Sequence, residues 1–166
     1  CRVEDLKLAS TDMVILPGGL GGVHSILACD TAMNFIRLAY EDGKYIAAIC
    51  AAPTILAQLH ITDGRKATCY PGLEEKMGAA VMTPCGAVQD GRVITGKTSG
   101  LMGASCAALL NSLKALANIR DNVNLISPMV LAPIQHLKVE HLGNTNPRLH
   151  TDEVLIALSM SAVTNP

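Results

Sequence analysis

Two short runs of uninterrupted apolar residues constrain this chain more than any other feature. Asp12-Met13-Val14-Ile15-Leu16 closes on Pro17-Gly18-Gly19, and Tyr45-Ile46-Ala47-Ala48-Ile49 closes on Cys50-Ala51-Ala52-Pro53. Runs without polar alternation are buried on both faces, which is the pattern of parallel strands rather than of a half-solvated antiparallel sheet. Between them Ala32, Phe35, Ile36, Ala39 and Tyr40 recur at the spacing of one helix face. Asp30-Thr31 reads as the cap of that helix and Glu41-Asp42-Gly43 as its stop. Pro53 to Leu59 comes next as a helix with proline in its first turn. Parallel neighbours need a crossover, so this strand–helix alternation places the chain in the α/β class.

Further along, Lys66 to Cys69 reads as a strand and Leu73 to Met77 as a short helix. Val81 to Thr95 breaks into short β pieces around Pro84, Gly86 and the turn dipeptide Asp90-Gly91. An Ala/Leu-rich helix comes next, with Cys106, Leu109, Leu110, Leu113, Leu116 and Ala117 as its apolar face. Val123 to Ile126 reads as a strand, and Pro128, Pro133, Gly143, Asn144, Asn146 and Pro147 break up the stretch up to Thr151. Thr151 is expected to cap a closing helix with Asp152 and Glu153 in its first turn. The start at Cys1 and the abrupt Thr164-Asn165-Pro166 lead us to expect a fragment.

Composition excludes whole classes of function. With 49% hydrophobic residues, 16% charged residues and a mean hydropathy of +0.33, the chain is not a disordered one. A net charge of -1 and 2% aromatics supply neither the basic field nor the stacking platform of a nucleic-acid binder. No apolar run approaches the ~20 residues of a membrane span, and no secretory pattern opens the chain. A cytoplasmic location is therefore expected, with the six cysteines reduced. None of them forms a C-x-x-C pair, His24, His60, His136 and His141 show no i, i+4 pair, and the methionines are scattered fillers, so no metal is expected.

Cys50 is the sharpest candidate for chemistry. It stands where a strand stops and a helix begins, so its side chain projects from the C-terminal edge of the sheet, where α/β ligands bind. The helix N-terminus beside it offers amide N–H groups and a partial positive charge that favour thiolate. Ala51 N–H is one expected oxyanion donor and Gly19 N–H, at the end of the neighbouring strand, the other. The plainer reading makes Cys50 a small hydrophobe at a strand end.

The segments Asp12 to Gly19, Ile46 to Pro53, Ala67-Thr68-Cys69-Tyr70-Pro71 and Asp90 to Thr95, in this order and spacing, resemble the ThiJ/PfpI superfamily, closest to its DJ-one type. The resemblance covers roughly Val3 to Thr95. It implies a flavodoxin-like three-layer sandwich with a mainly parallel sheet, usually dimeric, with Cys50 as elbow cysteine and Gly18, Gly19 and Ala51 lining its pocket. It further implies cofactor-free glyoxalase or deglycase chemistry on a small-molecule carbonyl substrate, chaperone or amidase action, or oxidation sensing. The family partners its nucleophile with a glutamate after the first strand. Too little chain precedes Asp12 to hold that strand, so the first strands are expected to be absent and an apolar sheet edge exposed, favouring a homo-oligomer. Where many members carry histidine, this chain has Tyr70. Without an acid/base partner, catalysis should fall about 10²–10⁴-fold.

From about Gly91 onward the sequence is similar instead to the C-terminal part of a bacterial family of larger conserved proteins without established function. The motifs are Thr95-Gly96-Lys97-Thr98-Ser99, Leu125-Ile126-Ser127-Pro128, Pro133 to Lys138 and Asn146 to Glu153. We therefore expect two segments, 1–95 and 96–166, the second an α/β unit packed on the first, joined as a fusion, a chimera or a composite. Gly91-x4-Gly96-Lys97-Thr98 formally matches a phosphate-binding loop, but Arg92 to Thr95 are β-formers that favour a strand. Lys97 and Thr98 remain candidates for holding an anion, and Arg148 and His150 for an anion clamp and acid/base pair. An ordinary loop with a helix cap is the favoured account of the latter. The rivals to a cysteine enzyme are a catalytically silent folding unit and an anion-binding module in the second half.

Overall fold

The computed structural model describes residues 2–120 and 122–164, so Cys1 and the closing Asn165-Pro166 lie outside the described residues. Met13–Leu16 (β1) pairs in parallel with Tyr45–Ile49 (β2), and β2 with Val93–Gly96 (β6). Ala87–Asp90 (β5) closes the sheet antiparallel to β6 through the Gly91-Arg92 turn, giving the order β1-β2-β6-β5. Lys66–Ala67 (β3) and Val81–Met82 (β4) form a separate parallel pair. β3 is shorter than the pattern Lys66 to Cys69 suggests, because Thr68 turns its N–H to the Thr95 hydroxyl (2.9 Å) instead of to a strand.

One face of the sheet carries Leu20–Leu27 (α1), Asp30–Glu41 (α2) and Pro53–Gln58 (α3). Leu16, Ile46, Ala48 and Val93 point into this layer and meet Val23, Ile36, Ala39, Ile55 and Leu56. The other face is covered by Ala104–Leu116 (α4) over Ala47 and Ile94, which completes a three-layer α/β sandwich of the flavodoxin-like kind. α1 escapes the sequence pattern because Gly21 and Gly22 disfavour a helix locally; packing against α2 and α3 overrides that preference. α2 begins at Asp30 with Cys29 at the cap position, so Asp30 works in the first turn rather than as the cap.

α4 turns a different face inward from the leucine stripe. Ala104, Cys106, Ala107, Ala108, Ser112 and Ala115 are buried, whereas Leu113 and Leu116 are 37% and 51% exposed. Close approach is the reason. A Cβ on Gly96 would lie 3.3 Å from the Ala104 carbonyl and 3.6 Å from the Ala108 Cβ, leaving no room for leucine.

The rest builds a second core. Pro128–His136 (α5) starts at Ser127, whose hydroxyl accepts the Met129 N–H, and continues through Pro133 into a π-turn, Leu137–His141. The prolines thus sit inside a helix rather than dissolving the segment. Residues 123–126 form no strand; they are bends delivering Ile126 to Met102, Cys106, Val130, Leu149, Val154 and Ala157. Thr151–Thr164 (α6) is capped by His150 rather than Thr151: His150 O accepts the Val154 N–H and Glu153 Oε2 accepts the His150 N–H (2.7 Å). The same carboxylate oxygen meets Lys138 Nζ at 2.8 Å, and Lys138, 3% exposed, also donates to Arg148 O at 2.5 Å. No helix is long and apolar enough to cross a membrane among the described residues.

Burial alone would raise the Glu153 pKa, but the Lys138 and His150 hydrogen bonds and the Lys138 charge outweigh it and hold it low. A depressed carboxyl contributes stability that is complete above its unfolded value and is lost as pH falls through the folded one. Unfolding titrations should therefore show stability draining below about pH 4. Glu153→Gln should remove that limb and cost roughly 2–3 kcal/mol at neutral pH, since it leaves the buried Lys138 charge with neutral acceptors and no counter-charge.

β1 is an edge. Ile15 is 57% exposed, and Val14, Leu16, Phe35, Ile36 and Leu6 line an apolar groove of about 210 Å³ beside it. Uncharged edges without a guard residue pair with other strands. Sedimentation should show concentration-dependent association that Ile15→Lys abolishes; a monomer at high concentration would contradict it.

Candidate active site

The parallel register fixes the site. Leu16 pairs with Ala48 and Ile49 with Gly96, so the chain leaves β1, β2 and β6 side by side at one sheet edge. At that edge Cys50 adopts φ +59°, a left-handed conformation unusual for a residue with a side chain. Three contacts hold it there. Its N–H donates to Gly96 O at 2.7 Å, its carbonyl accepts the Tyr70 N–H at 2.7 Å, and Gly18 lies against its side chain. A Cβ on Gly18 would fall 2.5 Å from the Cys50 Cβ and 3.3 Å from its sulfur. The Pro17-Gly18 corner must therefore carry glycine for the elbow to form. Gly19, at φ +91°, then opens α1.

The amides divide less generously than a helix N-terminus suggests. α3 is one and a half turns long and entered tightly: Ala52 N–H bonds Ile49 O, Thr54 N–H bonds Ala51 O, and Pro53 has no N–H. Ala51 N–H is left, and Gly19 N–H likewise has no hydrogen bond among the described residues. Gly18 N–H, against the Cys50 side chain, has no hydrogen bond among the described residues either.

Cys50 is half-buried, and no hydrogen bond or ion pair reaches its sulfur among the described residues. Cys29, Cys69, Cys85 and Cys106 are also free thiols. Cys69 is buried among Ala57, Ala67 and Met77. Burial first, and the Glu74 charge second, push its pKa up against the pull of Lys97, so Cys69 stays protonated at neutral pH. Tyr70 is 52% exposed beside the elbow. Neither Gly96 nor the Tyr70 amide stands out in the sequence as part of a cysteine site. Both act through the backbone, which leaves no residue-type signature.

Lys97 comes directly after Gly96, its own N–H held by Gly86 O, and lies half-buried at the same edge, whereas Thr98 is exposed. Gly91 is a hairpin turn residue at φ +61° and 93–96 is strand, so the formal phosphate-loop match has no loop. Arg148 and His150 are both exposed, far along the chain in the second core, and their backbones serve Lys138 and Glu153. His136 and His141 are not isolated: the π-turn sets their rings 5.4 Å apart. No group of three or more His, Cys, Asp or Glu could hold a metal among the described residues. A cleft of about 430 Å³ between α4 and α5 is lined by Met102, Leu110, Asn111 and Ile126 and does not include Cys50.

Residues 1–112 match the model of the DJ-1/PfpI family, and residues 72–166 match the domain of unknown function DUF1846, C-terminal. A UPF0371 protein of Corynebacterium aurimucosum is 63% identical over 114 residues, 67% of this chain and 22% of that protein. One from Corynebacterium efficiens is 59% identical over 92 residues, 54% of this chain and 18% of its own length. The chain spans about a fifth of the length of these curated relatives. Among solved structures, a cysteine-to-alanine mutant of a DJ-1 superfamily protein from Salmonella typhimurium superposes with TM-score 0.58 at 25% identity, covering 82% of this chain and 66% of that one. Drosophila melanogaster DJ-1beta gives TM-score 0.54 at 31% identity, covering 70% and 59%.

Gly18→Ala is the variant that tests the elbow. It should cost roughly 1–3 kcal/mol in denaturant unfolding through overpacking, and displace the cysteine enough to slow its alkylation. A stable variant with unchanged Cys50 labelling would refute the close approach.

Proposed function

Since the chain belongs to the DJ-1/PfpI family over residues 1–112 and to the DUF1846 C-terminal family over residues 72–166, we propose that it carries a cysteine-centred, cofactor-free site acting on small carbonyl compounds, of the glyoxalase or deglycase type. The observation that carries this reading is the strained Cys50 backbone, held at φ +59° between Gly18, Gly96 and Tyr70, with the Ala51 amide that follows it free of hydrogen bonds among the described residues. Strain of this kind persists only where surrounding contacts over-determine it, and it concentrates at functional sites.

In the proposed step the Cys50 sulfur adds to the carbonyl carbon. A C–S bond forms, the C=O π pair moves onto oxygen, and the N–H groups of Ala51 and Gly19 take the developing charge. The thiol proton ends on that oxygen, giving a hemithioacetal with nothing oxidised or reduced. Proton transfer is the weak point, because no side chain hydrogen-bonds the sulfur among the described residues. Solvent must carry the proton, so turnover should lie about 10²–10⁴-fold below that of an enzyme with a positioned acid/base. The same half-buried thiol suits a redox-responsive role, in which peroxide oxidises it to a sulfenic acid and is reduced to water, one small thiol condenses with that acid to a mixed disulfide and water, and a second small thiol releases the Cys50 thiol and leaves as the disulfide.

The decisive measurement pairs methylglyoxal consumption with peptide-resolved iodoacetamide labelling. Cys50 should label faster than Cys29, Cys69, Cys85 and Cys106, and Cys50→Ala should abolish consumption. Consumption that survives the substitution would leave the catalytically silent reading in its place.

A further inference from the structure

We propose that Lys97 makes the Cys50 site selective for anionic electrophiles, namely small aldehydes or ketones that also carry a carboxylate; this rests on the reading of Cys50 as the nucleophile. Three backbone contacts set the placement. Gly96 O receives the Cys50 N–H at 2.7 Å, which puts Lys97 one residue from the elbow, and Gly86 O fixes the Lys97 N–H at 2.7 Å. Thr95, two residues before Lys97, lies on the face of β6 that carries Ala48 on the neighbouring strand. That face looks onto the segment Thr68 to Tyr70, because the Thr95 hydroxyl receives the Thr68 N–H at 2.9 Å. Tyr70 in turn donates its N–H to the Cys50 carbonyl. Lys97 therefore sits one residue from the carbonyl that holds the elbow, and its charge is felt at the Cys69 thiol, next to Tyr70.

Lys97 is half-buried, yet it forms no ion pair or side-chain hydrogen bond among the described residues. The opposing charge is Glu74, whose Oε2 accepts the Gly72 N–H at 2.7 Å and which acts on Cys69 in the opposite sense. A cation without a partner at the mouth of a nucleophilic site raises the local concentration of anions and steadies a bound carboxylate. A substrate of this class would place its carboxylate on Lys97 and its carbonyl oxygen between the Ala51 and Gly19 amides. Cys50 then adds to the carbonyl carbon to give the hemithioacetal, and no further reactant is needed.

Two alkylating agents of nearly equal size and unequal charge test the idea on the intact chain. Iodoacetate and iodoacetamide both form the same C–S bond and release iodide, with the thiol proton passing to solvent. The readout is the ratio of their rates at Cys50, mapped by peptide mass and referred to the exposed Cys85. Lys97→Gln should lower the iodoacetate-to-iodoacetamide ratio about three- to tenfold, as loss of one charge several ångströms away implies. Lys97→Arg should retain the ratio, Glu74→Gln should raise it, and ~0.5 M salt should flatten the differences through screening. A ratio that Lys97→Gln leaves within about twofold of the parent, while iodoacetamide still labels Cys50 fast, overturns the role of Lys97 alone. Iodoacetamide labelling of Cys50 no faster than of Cys85 overturns the nucleophile reading and this proposal with it.

Discussion

The contact between Gly18 and Cys50 is the constraint on which the site depends. Two parallel strands leave the sheet at the same height, and their corners meet closer than two ordinary side chains allow. Glycine on one corner lets the other bend into a left-handed conformation and still keep a side chain. The bend is then locked from both sides, by Gly96 O on the Cys50 N–H and by the Tyr70 N–H on the Cys50 carbonyl. The sulfur is thereby presented at the sheet edge, with β1, β2, β6 and the Tyr70 segment each contributing one fixed backbone point.

Small residues carry the same logic through the layers. Ala47 and Ile94 on the sheet face Ala115 on α4, and Gly96 admits Ala104 and Ala108. Helix and sheet approach most closely at Gly96, where a Cβ would lie 3.3 Å from the Ala104 carbonyl. The cost is a leucine stripe left on the outer flank of α4 and an apolar edge at β1. The second core solves a different problem, since a lysine is enclosed there. Lys138 is tolerable only because Glu153 and the Arg148 carbonyl neutralise and solvate it, and through Glu153 it is tied to the start of α6.

Much of the first half was legible in the residues. The apolar runs at Met13 and Tyr45 and the proline-led α3 are where local pattern puts them, and the hairpin expected at Asp90-Gly91 turns one residue later, at Gly91-Arg92, because each is set by neighbours in the chain. The strand-to-helix corner at Cys50 was legible for the same reason, since such a corner is a local event, whereas Gly18 entered only through the family resemblance. Legibility ended where distant packing decides. α1 forms despite two glycines, α5 runs through a proline, 123–126 stays irregular, and α4 rotates its alanines inward, each against the local signal and each because another element lies against it. Lys97, too, acquires meaning only from Thr95 and from Thr68, which meets that face from a distant part of the chain.

By itself, then, the amino-acid order determined the α/β class, the parallel strands and the corner cysteine, since these arise from hydrophobic runs and turn chemistry a few residues wide. Only the tertiary structure decided which amides stay without a hydrogen bond, which charges are paired and which apolar surface remains uncovered. Hydrogen-bond donors are spent, charges paired and faces buried by residues far apart in sequence, and that allocation exists only once the layers have closed on one another.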